Sequence, residues 1–325
     1  MSLKARSTIG EAWEFTQNNK RLIKWYAFVP AVLSTVVGIL YVAYQYFSFV
    51  NSPLFGQEQT FLTQVALRAS DFFEANGEYL IPMAIVVGVV GILYLLVPSF
   101  CQASIIQIIA RKKNGQEVRM RDGIRYGLLS FLPIFEYSWL VRTFSIVSVF
   151  TWAGFLARNL GWDALNTFTP ILIVYFIVGL FVAVLFTYTE FFIVIDDRKV
   201  IESIAKSSTL VVTHLEETLL LIILMIIISV RILLQIVFVL LIPGAMLLII
   251  YLFASASIPL AAYVVGGAVG LVLLYIASYL SATIHVFAAS VWTFTFLELT
   301  SMELTSAREK PGEETDPDSK SEATD

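Results

Sequence analysis

Residues 196–217 read DDRKVIESIAKSSTLVVTHLEE, and they lie between two long apolar runs, YFIVGLFVAVLFTYTEFFIVI (175–195) and TLLLIILMIIISVRILLQIVFVLLI (218–242). The stretch is too polar to cross a bilayer and too periodic for a loop. Ile201, Ile204, Ser208, Val211, Val212 and Leu215 recur at helical spacing, Arg198, Lys199, Glu202 and Lys206 point mostly elsewhere, and Asp196 or Asp197 is available as an N-cap. This pattern predicts a short helix in the membrane interface, with its charged face in water. Its apolar stripe lies among acyl chains or against the neighbouring spans.

The whole chain supports a membrane setting. It is 58% hydrophobic and 14% charged with a mean hydropathy of +0.80, against roughly 25% charged residues in soluble domains. Spanning a hydrocarbon core of about 30 Å takes about 20 apolar helical residues, because lipid satisfies no backbone group. Six stretches qualify, at about 25–48, 80–110, 134–157, 168–195, 218–253 and 260–298. The fifth and sixth are long enough to exceed 50 Å at about 1.5 Å per residue; Pro243-Gly244 is a place for the fifth to kink, and the sixth is expected to run on along the interface. The loop before residue 80 carries a further amphipathic segment, TFLTQVALRASDFFEANGEYL.

Basic residues alternate with these spans. Of 21 Lys and Arg, five precede the first span, six lie between the second and third, three between the fourth and fifth, and three in the tail. Only Arg68 and Arg158 fall in the alternate loops. The positive-inside rule then places the chain in the cell (cytoplasmic) membrane as a multi-pass protein with both termini cytoplasmic. The first 24 residues lack an apolar core before a small-residue cleavage site, so no cleaved signal peptide is expected. Residues 299–325 hold three Lys/Arg and eight Asp/Glu, the composition of an acidic disordered tail.

The opening helix has counterparts. Val200-Ile201-Glu202-Ser203-Ile204 follows the order apolar, any, acid, small, bulky, and so do Met120-Arg121-Asp122-Gly123-Ile124 and Ile9-Gly10-Glu11-Ala12-Trp13. Each copy closes a basic stretch and precedes an odd-numbered span. The expected fold is all-α: a polytopic membrane domain (1–298) of about six transmembrane helices in three repeated units, at about 7–110, 119–196 and 200–298. Each unit is an interfacial cytoplasmic helix followed by a transmembrane hairpin.

Three runs carry a family resemblance: FFIVIDDRKVIESIAKSSTLVVTHLEETLLLII, IIARKKNGQEVRMRDGIRYGLLSFLPIF and IGEAWEFTQNNKRLIKW. They resemble a poorly characterised multi-pass prokaryotic family that includes the membrane domain attached to some glycerophosphoryl diester phosphodiesterases. In that family an apolar span ends in an acidic pair or turn and is followed by a helix with a Lys-Lys-Ser core, here matched by Lys206-Ser207-Ser208. This chain departs at Ser203-Ile204, where Ala-Leu is common, and at Thr213-His214, where a turn often sits. The resemblance implies a membrane-domain fold without a defined biochemical role, and no phosphodiesterase activity comes with it.

Motif chemistry is sparse. There is no G-x-S-x-G elbow, no H-E-x-x-H pair and no Walker glycine loop. One cysteine, Cys101, and two histidines leave little for a metal centre, so neither metal nor cofactor is expected, nor an enzyme. The near-neutral membrane domain gives no reason to expect nucleic acid. The informative residues are polar ones within spans, which cost several kcal/mol unless paired or hydrated. The candidate intramembrane polar site comprises Arg142, Glu190, Arg231, Gln235 and His285. Arg142 and Glu190 either pair across neighbouring helices or belong to a polar pathway. Arg231, with Gln235 on its face, either lines a water-filled cavity or snorkels outward. The preferred expectation is a non-enzymatic protein with a structural, assembly or envelope-related role, whose partners are the lipid bilayer and a membrane protein or second copy. The alternative is a small-molecule or ion transporter or channel.

Overall fold

The computed structural model describes residues 2–50, 61–229 and 259–308, together with 237, 241, 242, 244, 245, 248 and 251. Arg231, Gln235, most of the second half of the fifth expected span and the tail beyond 308 lie outside the described residues. Every regular element described is helical. Helix α1 (Ser2–Asn18) leads into a short α2 (Lys20–Leu22), then a π turn (Ile23–Ala27) and α3 (Phe28–Val50). The amphipathic segment after the first span forms α4 (Phe61–Ala75), followed by α5 (Leu80–Lys113) and α6 (Asp122–Thr143). Then come α7 (Ile146–Leu185), α8 (Thr189–Ile195), α9 (Val200–Thr213), α10 (Leu215–Ser229) and α11 (Pro259–Arg308).

Four segments among the described residues are long and apolar enough to cross a membrane: Lys20–Val50, Gly77–Lys113, Ser148–Ile195 and Val264–Met302. The α9–α10 pair, bent by 97°, makes a fifth if counted as one span. The expected third span, 134–157, is interrupted. Its first part belongs to α6, and the helix restarts after Ser145, whose extended backbone and side-chain oxygen cap Ser148 N at 3.2 Å.

A straight α7 of 40 residues would run about 60 Å. Its two ends instead meet. Tyr175 donates a hydrogen bond to the carbonyl of Thr143, the Phe144 and Tyr175 rings lie 5.9 Å apart, and the Phe144 carbonyl presses on Gly179. The chain therefore doubles back at Gly161, whose φ of 81° and ψ of 179° form a corner that only glycine adopts without strain. Beside the corner, Arg158 is buried, donating to Gln45 and lying 5.6 Å from the Tyr44 ring of α3.

One end of the molecule, here the base, gathers α1, the α5–α6 connection and α9. Each of these helices is pressed onto a long neighbour through two small residues four positions apart. In α1 they are Ala12 and Thr16, both 0% exposed, and the edge-on contacts Trp13–Phe287 and Phe15–Phe294 seat the helix on α11. In α6 they are Gly123 and Gly127. A Cβ on Gly123 would meet Ile108 Cδ1 and Tyr26 Oη at 2.6 Å, and one on Gly127 would meet the Phe100 carbonyl of α5 at 2.9 Å. In α9 they are Ser203 and Ser207, both buried; Ser207 Oγ donates to Leu185 O at 2.8 Å and accepts from Tyr188 N at 3.0 Å across the α7–α8 break. Ile201 and Val212 of the expected apolar stripe instead point away, 83% and 66% exposed.

The turn before α9 differs from the expected cap. Asp196 terminates α8 and contacts Arg198 at 3.5 Å, Asp197 takes a positive φ of 52°, and the residue preceding α9 is Lys199, with no side-chain cap. The tight turn consumes both aspartates before the helix begins.

Packing is concentrated at the base. The α5 side chains from Cys101 to Ala110 are mostly buried, whereas every residue from Leu80 to Leu93 is exposed. Two substitutions test the close approaches against one that should be harmless. Gly127→Ala and Gly161→Ala are each expected to lower stability by about 1–3 kcal/mol. Gly10→Ala, on an exposed helical position with nothing within 4 Å, should raise it by about 0.5–1 kcal/mol. Thermal or denaturant unfolding in detergent checks all three.

Candidate functional site

Where the packed base gives way to the splayed rim, α3, α5, α6, α8 and α11 enclose a cavity of about 470 Å³. Its size falls in the range of small-molecule sites. The polar wall is made by Ser34, Gln102, Tyr137, Glu190, Ser281 and His285. A second compartment of about 290 Å³ adjoins it, sharing Gln102, Tyr137, Glu190 and His285 and reaching Thr187 and Trp292.

Each wall residue reaches the cavity for a local reason. Glu190 stands in the first turn of α8, immediately after the chain leaves helical geometry at Phe186–Tyr188. That break is held by Ser207 of α9 and by Tyr137, whose hydroxyl donates to the Phe186 carbonyl at 2.9 Å. Gln102 lies on the packed half of α5 and donates Nε2 to Glu190 Oε2 at 2.7 Å. His285 lies between the fully buried Ala282 and Val286, yet its own side chain is open to the cavity. The helices on which the three base helices dock thus contribute one polar group each: Gln102 from α5, Glu190 from α8 and His285 from α11.

The chemistry is biased toward acceptors. Gln102 Oε1 is buried and lacks a partner, while the Tyr137 hydroxyl spends its proton on the backbone. Together with the Glu190 carboxylate, these groups suit a solute that donates hydrogen bonds or carries positive charge. No hydrogen bond joins His285 to Ser281 or Glu190, so a nucleophile–base pair is not assembled. Among the described residues no three His, Cys, Asp or Glu side chains are grouped to hold a metal ion.

Of the sequence candidates, Glu190 and His285 share this cavity. Arg142 belongs to α6, but its side chain is outside what is described, and the hydrogen bond Glu190 receives comes from Gln102. Arg231 and Gln235 fall outside the described residues. Glu136 is exposed on α6. Gln102 and Tyr137 were not among the candidates. The signal for Gln102 was present as an amide in the apolar run VPSFCQASII.

No protein-family model matches the chain, and no curated protein or solved structure matches it.

Water in the cavity is open to a direct test. In a Cys101→Ser background, Ser281→Cys in proteoliposomes should react with a charged, membrane-impermeant methanethiosulfonate, because the reactive thiolate forms only where water reaches. Val87→Cys, 63% exposed on the rim half of α5, should remain unmodified in lipid. Equal silence at both positions would count against a hydrated cavity.

Proposed function

We propose that this is a non-enzymatic membrane protein that binds a small cationic or hydrogen-bond-donating solute in its central cavity, as a transporter or channel. The observation that carries this reading is the meeting of Gln102, Glu190 and His285 in one polar cavity beside a broken helix. Polar side chains in a spanning segment are costly unless hydrated or used, and discontinuous helices at mid-membrane are a recurrent way to build solute sites.

The same reading takes the fold as six passes in three units. Three supports exist: the reversal at Gly161 divides the Ser148–Ile195 segment into two antiparallel passes, the bent α9–α10 pair begins another unit, and each base helix carries a small pair. In this arrangement each base helix docks on the descending helix of a different unit: α1 on α11, α6 on α5, α9 on α8. That closes the three units into a ring around the cavity. The placement of both termini in the cytoplasm of a cell membrane, and the likeness to the phosphodiesterase-associated membrane family, remain proposals resting on charge placement and on the three quoted runs.

A second reading, the structural or assembly role, is favoured by the rim half of α5. All residues from Leu80 to Leu93 are exposed around the full helix circumference, which fits lipid but also a partner or a second copy.

Solid-supported-membrane recording distinguishes the two. Proteoliposomes challenged in turn with sodium, potassium, protons and small alkylamines should give a transient current for at least one. Glu190→Gln should reduce that current at least tenfold with little change in thermal stability, since the Gln102 contact is kept by the amide. No current from the full panel, combined with an intact oligomer that dissociates on rim substitutions such as Val87→Asn, would support the assembly role instead.

A further inference from the structure

A second concavity, separate from the central cavity and independent of its proposed use, opens at the base. It encloses about 1140 Å³ between the α1–α2 joint, the π turn and the α5–α6 connection. Lys20, Arg21, Lys112, Arg119 and Arg121 line it, and no carboxylate does. Two acids flank the lining segment 118–121: Asp122 accepts from the Arg119 backbone N at 3.1 Å, and Glu117 is exposed outside the lining.

The walls are fixed by hydrogen bonds across the concavity. Lys112 Nζ donates to Asn19 Oδ1 at 2.5 Å and Tyr26 Oη donates to the Met120 carbonyl at 2.5 Å. Among the described residues Lys20, Arg21, Arg119 and Arg121 have no ion-pair partner, in contrast to Lys113 just outside, which is paired with Glu11. Five cations therefore line one space into which no carboxylate projects, and four of them are exposed and without an ion-pair partner among the described residues.

This basic mouth continues into an apolar groove. Arg121 and Ile124 belong both to the concavity and to a shallower groove of about 470 Å³ that is completed by Arg125, Leu128 and Leu129. Ile124, Leu128 and Leu129 are 51%, 65% and 69% exposed, and Trp25 at the opposite lip is 69% exposed. Apolar side chains below a ring of cations describe an amphipathic anion, with the head above and the hydrocarbon alongside α6.

We infer that this concavity is a binding site for the phosphate headgroup of an anionic phospholipid, with an acyl chain lying against Ile124, Leu128 and Leu129. Arginine gives bidentate contacts to phosphate oxygens, Lys20 and Lys112 add point charge, and Trp25 sits at the depth of the headgroup. Basic recesses between spanning helices recognise anionic headgroups in this way. A free phosphate would use the same cations but would have no use for the groove.

The full-length protein in neutral detergent is titrated with dioleoylphosphatidylglycerol or dioleoylphosphatidylcholine and examined by native mass spectrometry. Phosphatidylglycerol should be retained on the order of tenfold better. The preference should vanish in the Arg21→Gln/Arg119→Gln/Arg121→Gln variant and persist in Lys113→Gln. Should the triple variant lose its thermal transition, Arg121→Gln alone supplies the test, because that residue touches both head and tail regions. Leu128→Asn/Leu129→Asn should weaken lipid retention although no charge is changed. Equal retention of the two lipids, or an unaltered preference without the arginines, would overturn the inference. Displacement of phosphatidylglycerol by equimolar glycerol 3-phosphate would also overturn it, in favour of a soluble phosphate ligand.

Discussion

Close backbone approach at small residues is the constraint on which the rest of this structure depends. Lipid tails are as apolar as leucine, so no hydrophobic force drives helices together within a bilayer, and association relies on packing and a few hydrogen bonds. Ala12/Thr16, Gly123/Gly127 and Ser203/Ser207 remove side-chain bulk at positions one turn apart. The three base helices can then lie directly on their neighbours. At Gly127 a side chain would meet Ser104 Oγ, the Phe100 ring and the Phe100 carbonyl, all within 2.9 Å, and the last of these is backbone that cannot turn aside. Serine at the third site adds hydrogen bonds to the α7–α8 break that neither alanine nor glycine could make.

The cavity follows from where this packing stops. Below it, Tyr188, Phe191, Phe192 and Phe296 form a dense aromatic cluster with ring centroids 4.8–6.3 Å apart. Above it, the rim halves of α5 and α7 offer largely apolar exposed surface. Between the two lies a zone in which Gln102 and Glu190 are half-buried and His285 opens to the cavity, the three too poorly paired to be a structural network. The Gln102–Glu190 hydrogen bond satisfies one oxygen of the pair, and Gln102 Oε1 is left without a protein partner. A fully satisfied network would rigidify the core; a partly satisfied one is costly.

The parts legible in the sequence were those written in composition and period. Long apolar runs, alternating basic loops and the helical spacing of 201–215 lead to an all-helical membrane chain and to a helix at 200–213. The acid-small-bulky motif also pointed to the docking residues, since Ala12, Gly123 and Ser203 are all buried. The second member of each pair was hidden because threonine, glycine and serine share a size and no letter. The expected stripe of α9 divides: Val211 is buried beside Ser203, Ser207 and Leu210, whereas Ile201 and Val212 face outward. Gly161 was illegible because a glycine in an apolar run serves equally for helix packing or for a corner, and only the pairing of Phe144 and Tyr175 separates the two. Gln102 escaped because no charged residue stands near it in sequence, whereas Gln235 follows Arg231 at helical spacing.

The two concavities place opposite demands on their occupants, and this bears on how the proposed solute would travel. The basic recess at the base repels cations, while the central cavity is acceptor-rich and carries one carboxylate. A cation entering from the rim meets exposed Ser34 and half-buried Tyr94 before it reaches Glu190. Beyond Glu190 it faces Trp292 and Phe191, and then Phe296, which is 1% exposed. Phe296 packs against Phe191 and Phe192 of the short α8. That seven-residue helix is separated from α7 by the break at Phe186–Tyr188 and secured there by Ser207. The linings of the two concavities share no residue, so each selects its occupant by its own charge: an anion at the base, a cation or hydrogen-bond donor at the centre.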